Sequence, residues 1–255
     1  MKVKEGMKDG LRYPDACNQA LQFILNKEVR TPNDLLGLSY VKEVIHHHYP
    51  ISMHCIKRTN DYHAKDIERI SSATSLRIAL KQGKDVSHQL PGYETYKDSH
   101  FFTLEEFYPY LKYLITFTPL KNLHMIEEGL DDRLYKVNQE THNLEELINA
   151  LTSKRYTRSR IQRMLIHILL HNTKEEMKKA MDIDYIHILG LSEQGQRYIK
   201  TAKKNTEYKI ITNITKHKHP ALDIEKRGAQ LLDLVDPGFF KETIKAIPYR
   251  KIDLK

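Results

Sequence analysis

The sequence predicts a mainly α-helical chain with an α/β portion. Two local arrangements carry that reading, against a background of apolar residues recurring at helical spacing. The first runs helix 33–48, strand 51–57, loop, helix 73–82, and looks like the last piece of an α/β domain. The second runs strand 185–191, helix 193–204, strand 208–214, and reads as a βαβ unit whose crossover helix allows two neighbouring parallel strands.

Helices are expected at 14–28, 33–48, 73–82, 103–117, 128–138, 143–153, 157–172, 174–182, 193–204 and 222–235, and strands at 51–57, 185–191 and 208–214. Thr31-Pro32 opens the second helix, with proline at the favoured first position. Leu36, Tyr40, Val41, Val44 and Ile45 give it one apolar face, and Tyr49-Pro50 stops it. Ser72 is a suitable N-cap for the third helix and Gly83 a suitable stop. Ile161, Met164, Leu165, Ile168 and Leu169 form the buried face of helix 157–172. The segment 83–102, with Gly83, Pro91, Gly92 and several polar residues, marks a boundary. The expected division is therefore 1–83, a linker at 84–102, and a helical domain with the small βαβ unit at 103–255.

Composition excludes several classes. With 40% hydrophobic residues the chain can form a real core, and 29% charged residues with scarce Gly and Pro argue against wholesale disorder. No stretch approaches the roughly 18 apolar residues of a membrane helix. Met1 to Gly10 is charged and carries no apolar leader core. Cys17 and Cys55 suggest neither a disulfide framework nor a cysteine-rich metal site, and a cytoplasmic location is the simple expectation. His46, His47 and His48 are consecutive, so on a helix they diverge by about 100° each and suit a polar helix end better than a metal. No metal site is expected. The net charge is +8, and Leu151 to Lys218 holds 15 Lys or Arg against 6 Asp or Glu. Such asymmetry points to a polyanion, although a solvated basic face with no partner has the same composition.

The segment Ile70-Ser71-Ser72-Ala73-Thr74-Ser75-Leu76-Arg77 opens a helix. Unpaired N–H groups and the positive dipole end attract anions there, Ser71, Ser72 and Thr74 add hydroxyls, and Arg77 lies one turn in. From the pattern alone, an ordinary capped helix with a surface arginine is the simpler account. The segment nevertheless resembles the second signature of the HIGH-type nucleotidylyltransferases, with Ala73 after the two serines and one extra residue before the arginine.

A wider resemblance runs from about Lys8 to Val235. Thr31-Pro32-Asn33-Asp34-Leu35-Leu36-Gly37, Arg58, Ile70 to Arg77, Tyr110-Leu111-Lys112-Tyr113, Glu127-Glu128-Gly129-Leu130, Lys154-Arg155-Tyr156-Thr157 and His219-Pro220-Ala221-Leu222-Asp223 occur in this order. In that order they resemble the bacterial tRNA(Met) cytidine acetate ligase family. The resemblance implies a remnant of a Rossmann-like nucleotidylyltransferase domain followed by a tRNA-binding helical domain. It implies ATP as substrate, accompanied by magnesium, and acetate activated as acetyl-adenylate with release of pyrophosphate. The acetyl group would pass to the exocyclic amine of the wobble cytidine of elongator tRNA(Met), giving N(4)-acetylcytidine. Asn33 and Arg58 take the family's ATP-contacting positions, with Lys57 assisting and Ser71, Ser72, Thr74 and Arg77 completing the set. Asn33 has the donor and acceptor groups a base edge or ribose needs, though a helix-start cap explains it equally. Arg58 ends a strand, where open α/β sheets bind ligands, though a surface ion pair would look the same.

One departure matters. The family's Asn-Pro-x-His-x-Gly-His motif, whose histidines bind phosphates, does not occur in these residues, so catalytic residues are unassigned. The chain resembles the C-terminal part of the enzyme, as a truncated form, a split gene product or a mis-called start would, and the expectation is that it does not adenylate acetate alone. The basic stretch Lys154, Arg155, Arg158, Arg160 and Arg163 contains no acid, and Tyr156 beside it is suited to stacking on an unpaired base. Arg160, Arg163 and His167 share a face apart from the apolar one, and Lys200, Lys203, Lys204, Lys216 and Lys218 extend the track. His217 and His219 are expected to join that basic surface. With the resemblance, tRNA contact is favoured over a solvated helix with local ion pairs. The alternatives are a non-catalytic tRNA-binding module and a nucleotidylyltransferase acting on a small metabolite.

Overall fold

The computed structural model describes residues 2–11, 13–26, 32–56, 70–127, 129–153 and 155–244. The chain divides into two compact units, Met1–Ser99 and His100–Lys255.

In the first unit, α1 (Lys2–Lys8) and α2 (Tyr13–Leu25) pack as a pair. The crossing is close because Gly6 is buried: a Cβ there would lie 3.2 Å from the Ala16 Cβ and 3.1 Å from Gln19 Oε1. Helix α3 (Pro32–His46) starts on the proline, as expected. It ends when His48 turns left-handed (φ +52°), so that the N–H of Tyr49 donates to Val44 O at 3.1 Å and that of His48 to Ile45 O at 3.3 Å. His47 pairs with Glu43 at 3.3 Å and stacks on Tyr49, which fits a polar helix end. Helix α4 (Ala73–Lys81) ends the same way at Gly83 (φ +67°), with Lys84 N–H donating to Ala79 O and Gly83 N–H to Leu80 O, both 3.0 Å. A short helix, α5 (Tyr93–Tyr96), follows.

Two expectations about this unit are corrected. Residues 51–56 form no strand. A strand is defined by its ladder, and no partner strand faces it among the described residues. The apolar face of α3 is also not sealed: Leu36, Tyr40 and Ile45 are exposed, and only Val41 and Val44 are half-buried. The unit's buried apolar residues are small, namely Ala16, Ala20, Ala79 and Val86.

The second unit has a true core. A 3₁₀ turn (Leu104–Phe107) leads into α6 (Tyr108–Phe117), followed by α7 (Leu130–Glu140), α8 (Leu144–Leu151) and α9 (Arg158–Leu169). Their inward faces form one cluster that includes Leu111, Ile115, Leu134, Leu147, Ile148, Leu151, Ile161 and Leu165. The apolar face expected on α9 is buried at all five positions. Polar anchors tie the helices: Lys112 Nζ and Tyr108 OH both donate to Thr141 O, at 2.6 and 3.1 Å, and Tyr135 OH donates to Thr118 O at 2.8 Å. Caps set the starts: Asn143 for α8, Thr157 for α9 and Thr173 for α10 (Lys174–Ala180) each accept a backbone N–H.

Strands β1 (Tyr185–His187) and β2 (Lys209–Ile211) pair in parallel, Ile186 opposite Ile210, across α11 (Glu193–Ala202). The βαβ unit is therefore present, with strands shorter than expected. It rests on a second small cluster of Ile214, from the 3₁₀ turn after β2 (Ile214–Lys216), with Leu222 and Ala229 from α12 (Pro220–Asp233) and Ile244 from α13 (Phe239–Ile244). Helices α1, α5 and α13 lie outside the expected set.

Leu165 is fully buried, whereas Ile166 beside it is 42% exposed. Leu165→Ala is expected to cost about 2–5 kcal/mol in urea unfolding of the second unit, and Ile166→Ala to stay within about 0.5 kcal/mol.

Candidate functional site

In the first unit, the start of α4 is a serine-capped turn. Ser72 adopts an extended backbone, and its hydroxyl oxygen accepts the Ser75 N–H at 3.1 Å. Ser75 Oγ in turn donates to Ser72 O at 2.8 Å. Ser72 and Ser75 are both buried by this interlock, so Ser72 shapes the turn. The approach is pinned by Gln89, whose Oε1 accepts the Ser71 N–H at 3.1 Å. Thr74 and Arg77 are exposed. Backbone N–H groups at the start of a helix lack i−4 acceptors and carry the positive end of its dipole, and here the Ser72 hydroxyl takes that of Ser75. Asn33 is exposed in the first turn of α3, and Lys57 and Arg58 lie outside the described residues.

In the second unit the expected basic stretch divides according to its partners. Arg158 is closed: its Nη1 and Nη2 donate to the two carboxylate oxygens of Glu145, at 2.8 and 2.6 Å, and Nη1 also donates to Asn149 Oδ1 at 3.2 Å. Glu127, on the loop before α7, receives Arg155 Nη2 and Tyr156 OH on Oε2, each at 3.1 Å, and Arg160 Nη2 on Oε1. Burial raises the Glu127 carboxyl pKa, but the hydrogen bonds from Arg160 and Tyr156 and the two arginine charges outweigh it and hold the group below the usual carboxylate range. Arg163 is exposed and makes no ion pair among the described residues. Lys154 lies outside them.

Two expectations change here. Acids absent from the stretch itself arrive from Glu127 and Glu145, 28 and 13 residues away from Arg155 and Arg158. Tyr156 is 8% exposed, with its ring beneath the guanidinium groups of Arg155 and Arg160, so it is not an open stacking platform. Burial, followed by the Glu127 contact, raises its phenol pKa.

The lysines of the βαβ unit behave differently. Lys200, Lys203, Lys204, Lys216 and Lys218 are exposed and form no ion pair with an acid among the described residues. On α11, Gly195, Ile199 and Ala202 face inward, leaving Arg197, which pairs with Glu193 at 3.9 Å, and Lys200 on the opposite side at i and i+3, with Lys203 and Lys204 in the turn that follows the helix. Tyr198 and Tyr208 are 72% and 52% exposed in the same unit, a pairing of cations and open rings suited to a nucleic acid. A surface depression lined by Glu175, Lys178, Lys179, Asp182, Asp184 and His219 is unsuited to an anion, because three carboxylates face two lysines.

His217 and His219 are structural rather than part of the basic surface. His217 is buried and bonds to Asp184 Oδ1 at 3.0 Å, which is the main cause holding that carboxyl below its ordinary range. His219 caps α12: Nδ1 accepts the Ala221 N–H at 3.1 Å, leaving Nε2–H to donate to Asp182 O at 2.8 Å. His167 also turns inward. Its Nδ1 accepts from Asn172 Nδ2 at 3.0 Å, and its ring meets His124 edge-on at 4.6 Å. Burial, then the charges of His124 and Arg163, lower its pKa below the ordinary histidine value. Asn172 passes the contact on by accepting Arg227 Nη2 at 2.8 Å, and Arg227 pairs with Glu176 at 2.6 Å. Among the described residues no three His, Cys, Asp or Glu side chains converge to hold a metal. No described helix is long and apolar enough to cross a membrane.

Residues 1–245 match the model of the HIGH nucleotidyl transferase family. The chain is 33% identical over 247 residues to a tRNA(Met) cytidine acetate ligase of Geobacillus sp. (strain WCH70), covering 89% of this chain and 62% of that one. The apo crystal structure of Thermotoga maritima TmcAL superposes with a TM-score of 0.80 at 21% identity, covering 98% of this chain and 70% of that one. The same protein bound with alpha-thio ATP gives a TM-score of 0.71 at 23% identity, covering 99% and 66%. These structures establish a common fold. The chain spans 62% to 64% of the length of the curated relatives named tRNA(Met) cytidine acetate ligase that it matches.

The inward setting of His167 gives a pH dependence of definite sign. A histidine whose folded pKa is depressed binds fewer protons in the native state than in the unfolded chain. Its stability contribution is therefore intact above the ordinary value near 6.5 and is lost as pH falls from there through the lower folded pKa. Urea midpoints of the second unit are expected to drop over that window, with a slope from this group of at most about 1.4 kcal/mol per pH unit. His167→Gln is expected to flatten the slope.

Proposed function

The chain belongs to the HIGH nucleotidyl transferase family, and on that premise we propose that it serves the ATP-dependent acetylation of the wobble cytidine of elongator tRNA(Met). ATP is bound by the first unit and the tRNA by the second. In this reaction a carboxylate oxygen of acetate attacks the α-phosphorus of ATP. Pyrophosphate leaves and acetyl-adenylate forms. The cytidine amine then attacks the acetyl carbonyl, AMP leaves, and the amine loses a proton.

The observation that carries the reading is the set of exposed lysines in the βαβ unit with no acidic partner among the described residues, joined to the similarity to tRNA(Met) cytidine acetate ligases. Unpaired surface cations meet an RNA backbone with release of its counterions. Arg155, Arg160 and Arg163 add to this surface, whereas Arg158 contributes little charge because Glu145 neutralises it.

For the nucleotide, the T. maritima protein with alpha-thio ATP bound supports an ATP site in this fold. The chain's own groups for it are the Ser72-capped turn with Thr74 and Arg77, the Asn33 amide at the start of α3, and Lys57 and Arg58. Charge builds on the α-phosphate and the departing pyrophosphate, so a guanidinium such as Arg77 stabilises the transition state more than the bound ground state. ATP enters as its magnesium complex, with the metal carried by the phosphates. No His-x-Gly-His segment occurs among these 255 residues. The groups acting directly on the α-phosphate are therefore unassigned on this chain.

Binding of elongator tRNA(Met) tests the reading. Affinity is expected to fall steeply with salt, and Lys200→Ala/Lys203→Ala/Lys204→Ala to lower the log–log salt slope by about 2–3. A wild-type chain that ignores tRNA at low salt contradicts the proposal. Arg77→Ala is expected to weaken ATP binding about 10–100-fold in calorimetry, the loss of one charge-assisted contact worth about 1.5–3 kcal/mol. Unchanged ATP affinity would remove Arg77 from the site.

A further inference from the structure

Two sequence segments far apart, around Glu127 and around Arg155, meet in one cluster that the reaction above does not explain. Glu127 is one carboxylate serving two guanidinium groups and one phenol. Its neighbours are packed as a stack: the Arg155 and Arg160 guanidinium carbons lie 5.4 and 5.1 Å from the Tyr156 ring centroid. Tyr156 itself is fixed from below by the turn before α9, where its N–H donates to Ser153 Oγ at 3.1 Å and its carbonyl accepts the Ser153 N–H at 2.9 Å.

We propose that Glu127 is a positioning residue for RNA, holding Arg155 and Arg160 together over Tyr156 as one paired fork for a backbone phosphate. This rests on the tRNA reading above. The stoichiometry supports it: one negative charge against two positive leaves the cluster cationic. Each guanidinium has five N–H donors, and Glu127 takes one from each. The Arg155 side chain is 76% exposed and that of Arg160 33%, so donors remain available outward. Arg158 is the internal contrast, since Glu145 engages both of its terminal nitrogens and cancels its charge one for one.

Two effects of Glu127 oppose each other. Its charge repels an incoming phosphate, but at a 40% exposed site that repulsion is screened by salt. Its hydrogen bonds remove the need to order two long, rotamer-rich side chains when RNA arrives. Preorganisation therefore outweighs repulsion, and the sign of the Glu127 effect is opposite to the one charge alone would give.

Glu127→Gln and Glu127→Ala are to be compared with wild type in elongator tRNA(Met) binding from low to moderate salt, with thermal unfolding measured alongside. Both variants are expected to bind about 5–10-fold more weakly at 100 mM salt with an unfolding midpoint close to wild type. In an Arg155→Ala/Arg160→Ala background, Glu127→Gln is expected to have no further effect. Equal or tighter binding by Glu127→Gln would show that the carboxylate merely damps the charge and would overturn the proposal. So would an equal loss in the background lacking both arginines, which would mark a general structural role. Failure of the wild-type chain to bind tRNA at all would instead bring down the tRNA reading and this inference together.

Discussion

Charge compensation is the constraint on which the second unit depends. A cation in a fold either finds an acid at hydrogen-bonding distance or stays solvated and ready for an external anion. Here both fates occur in one segment of the chain. Arg158 and Arg227 are neutralised by Glu145 and Glu176, while Lys200 on α11, Lys203 and Lys204 just after it, and Lys216 and Lys218 after β2 meet no acid among the described residues. Exposed ion pairs are individually weak, so this sorting matters less for stability than for where positive potential remains. The residual potential lies on the βαβ unit and on the Arg155–Arg160 pair, and these are the surfaces proposed to meet RNA.

The helical core makes that sorting possible. Helices α6 to α9 bury one continuous apolar cluster, which fixes the loop bearing Glu127 against the turn bearing Tyr156. The βαβ unit is small, with three-residue strands, and needs α12 and α13 to cover one side. The His219 cap and the His217–Asp184 contact anchor that side, so these histidines serve the scaffold, and the lysines around them face outward. Across the βαβ unit, apolar and imidazole contacts hold position, while the ammonium groups other than that of Lys209, which pairs with Asp184 at 3.5 Å, meet solvent.

The sequence made legible whatever depends on local periodicity and local caps. The α9 face from Ile161 to Leu169 follows from 3.6-residue spacing, and the Ser72 start and Gly83 stop of α4 follow from residue chemistry within a few positions. The parallel pair across α11 was readable because a crossover helix separates two short apolar runs. What depends on distant partners was not readable. Glu127 reaches Arg155 across 28 residues, and nothing in the Lys154 to Arg163 stretch announces it. The burial of Tyr156 is not legible either, because it comes from membership of the apolar core cluster and from the arginines over its ring. The segment 51–56 has strand composition without a described partner strand, and α1 is not legible because its seven mostly charged and glycine-containing residues give no clear apolar stripe. Of the candidate nucleotide groups, Ser72 proved to be an interior cap, a role its one-dimensional motif shares with phosphate binding.

Lysine footprinting by mass spectrometry, with and without elongator tRNA(Met) at low salt, tests the central claim most directly. The account expects protection from an amine-reactive reagent at Lys200, Lys203, Lys204, Lys216 and Lys218. It expects none at Lys174 and Lys179, which the fold already occupies with Lys121 O and Glu175. Protection spread evenly over all lysines, or confined to those already occupied, would contradict it.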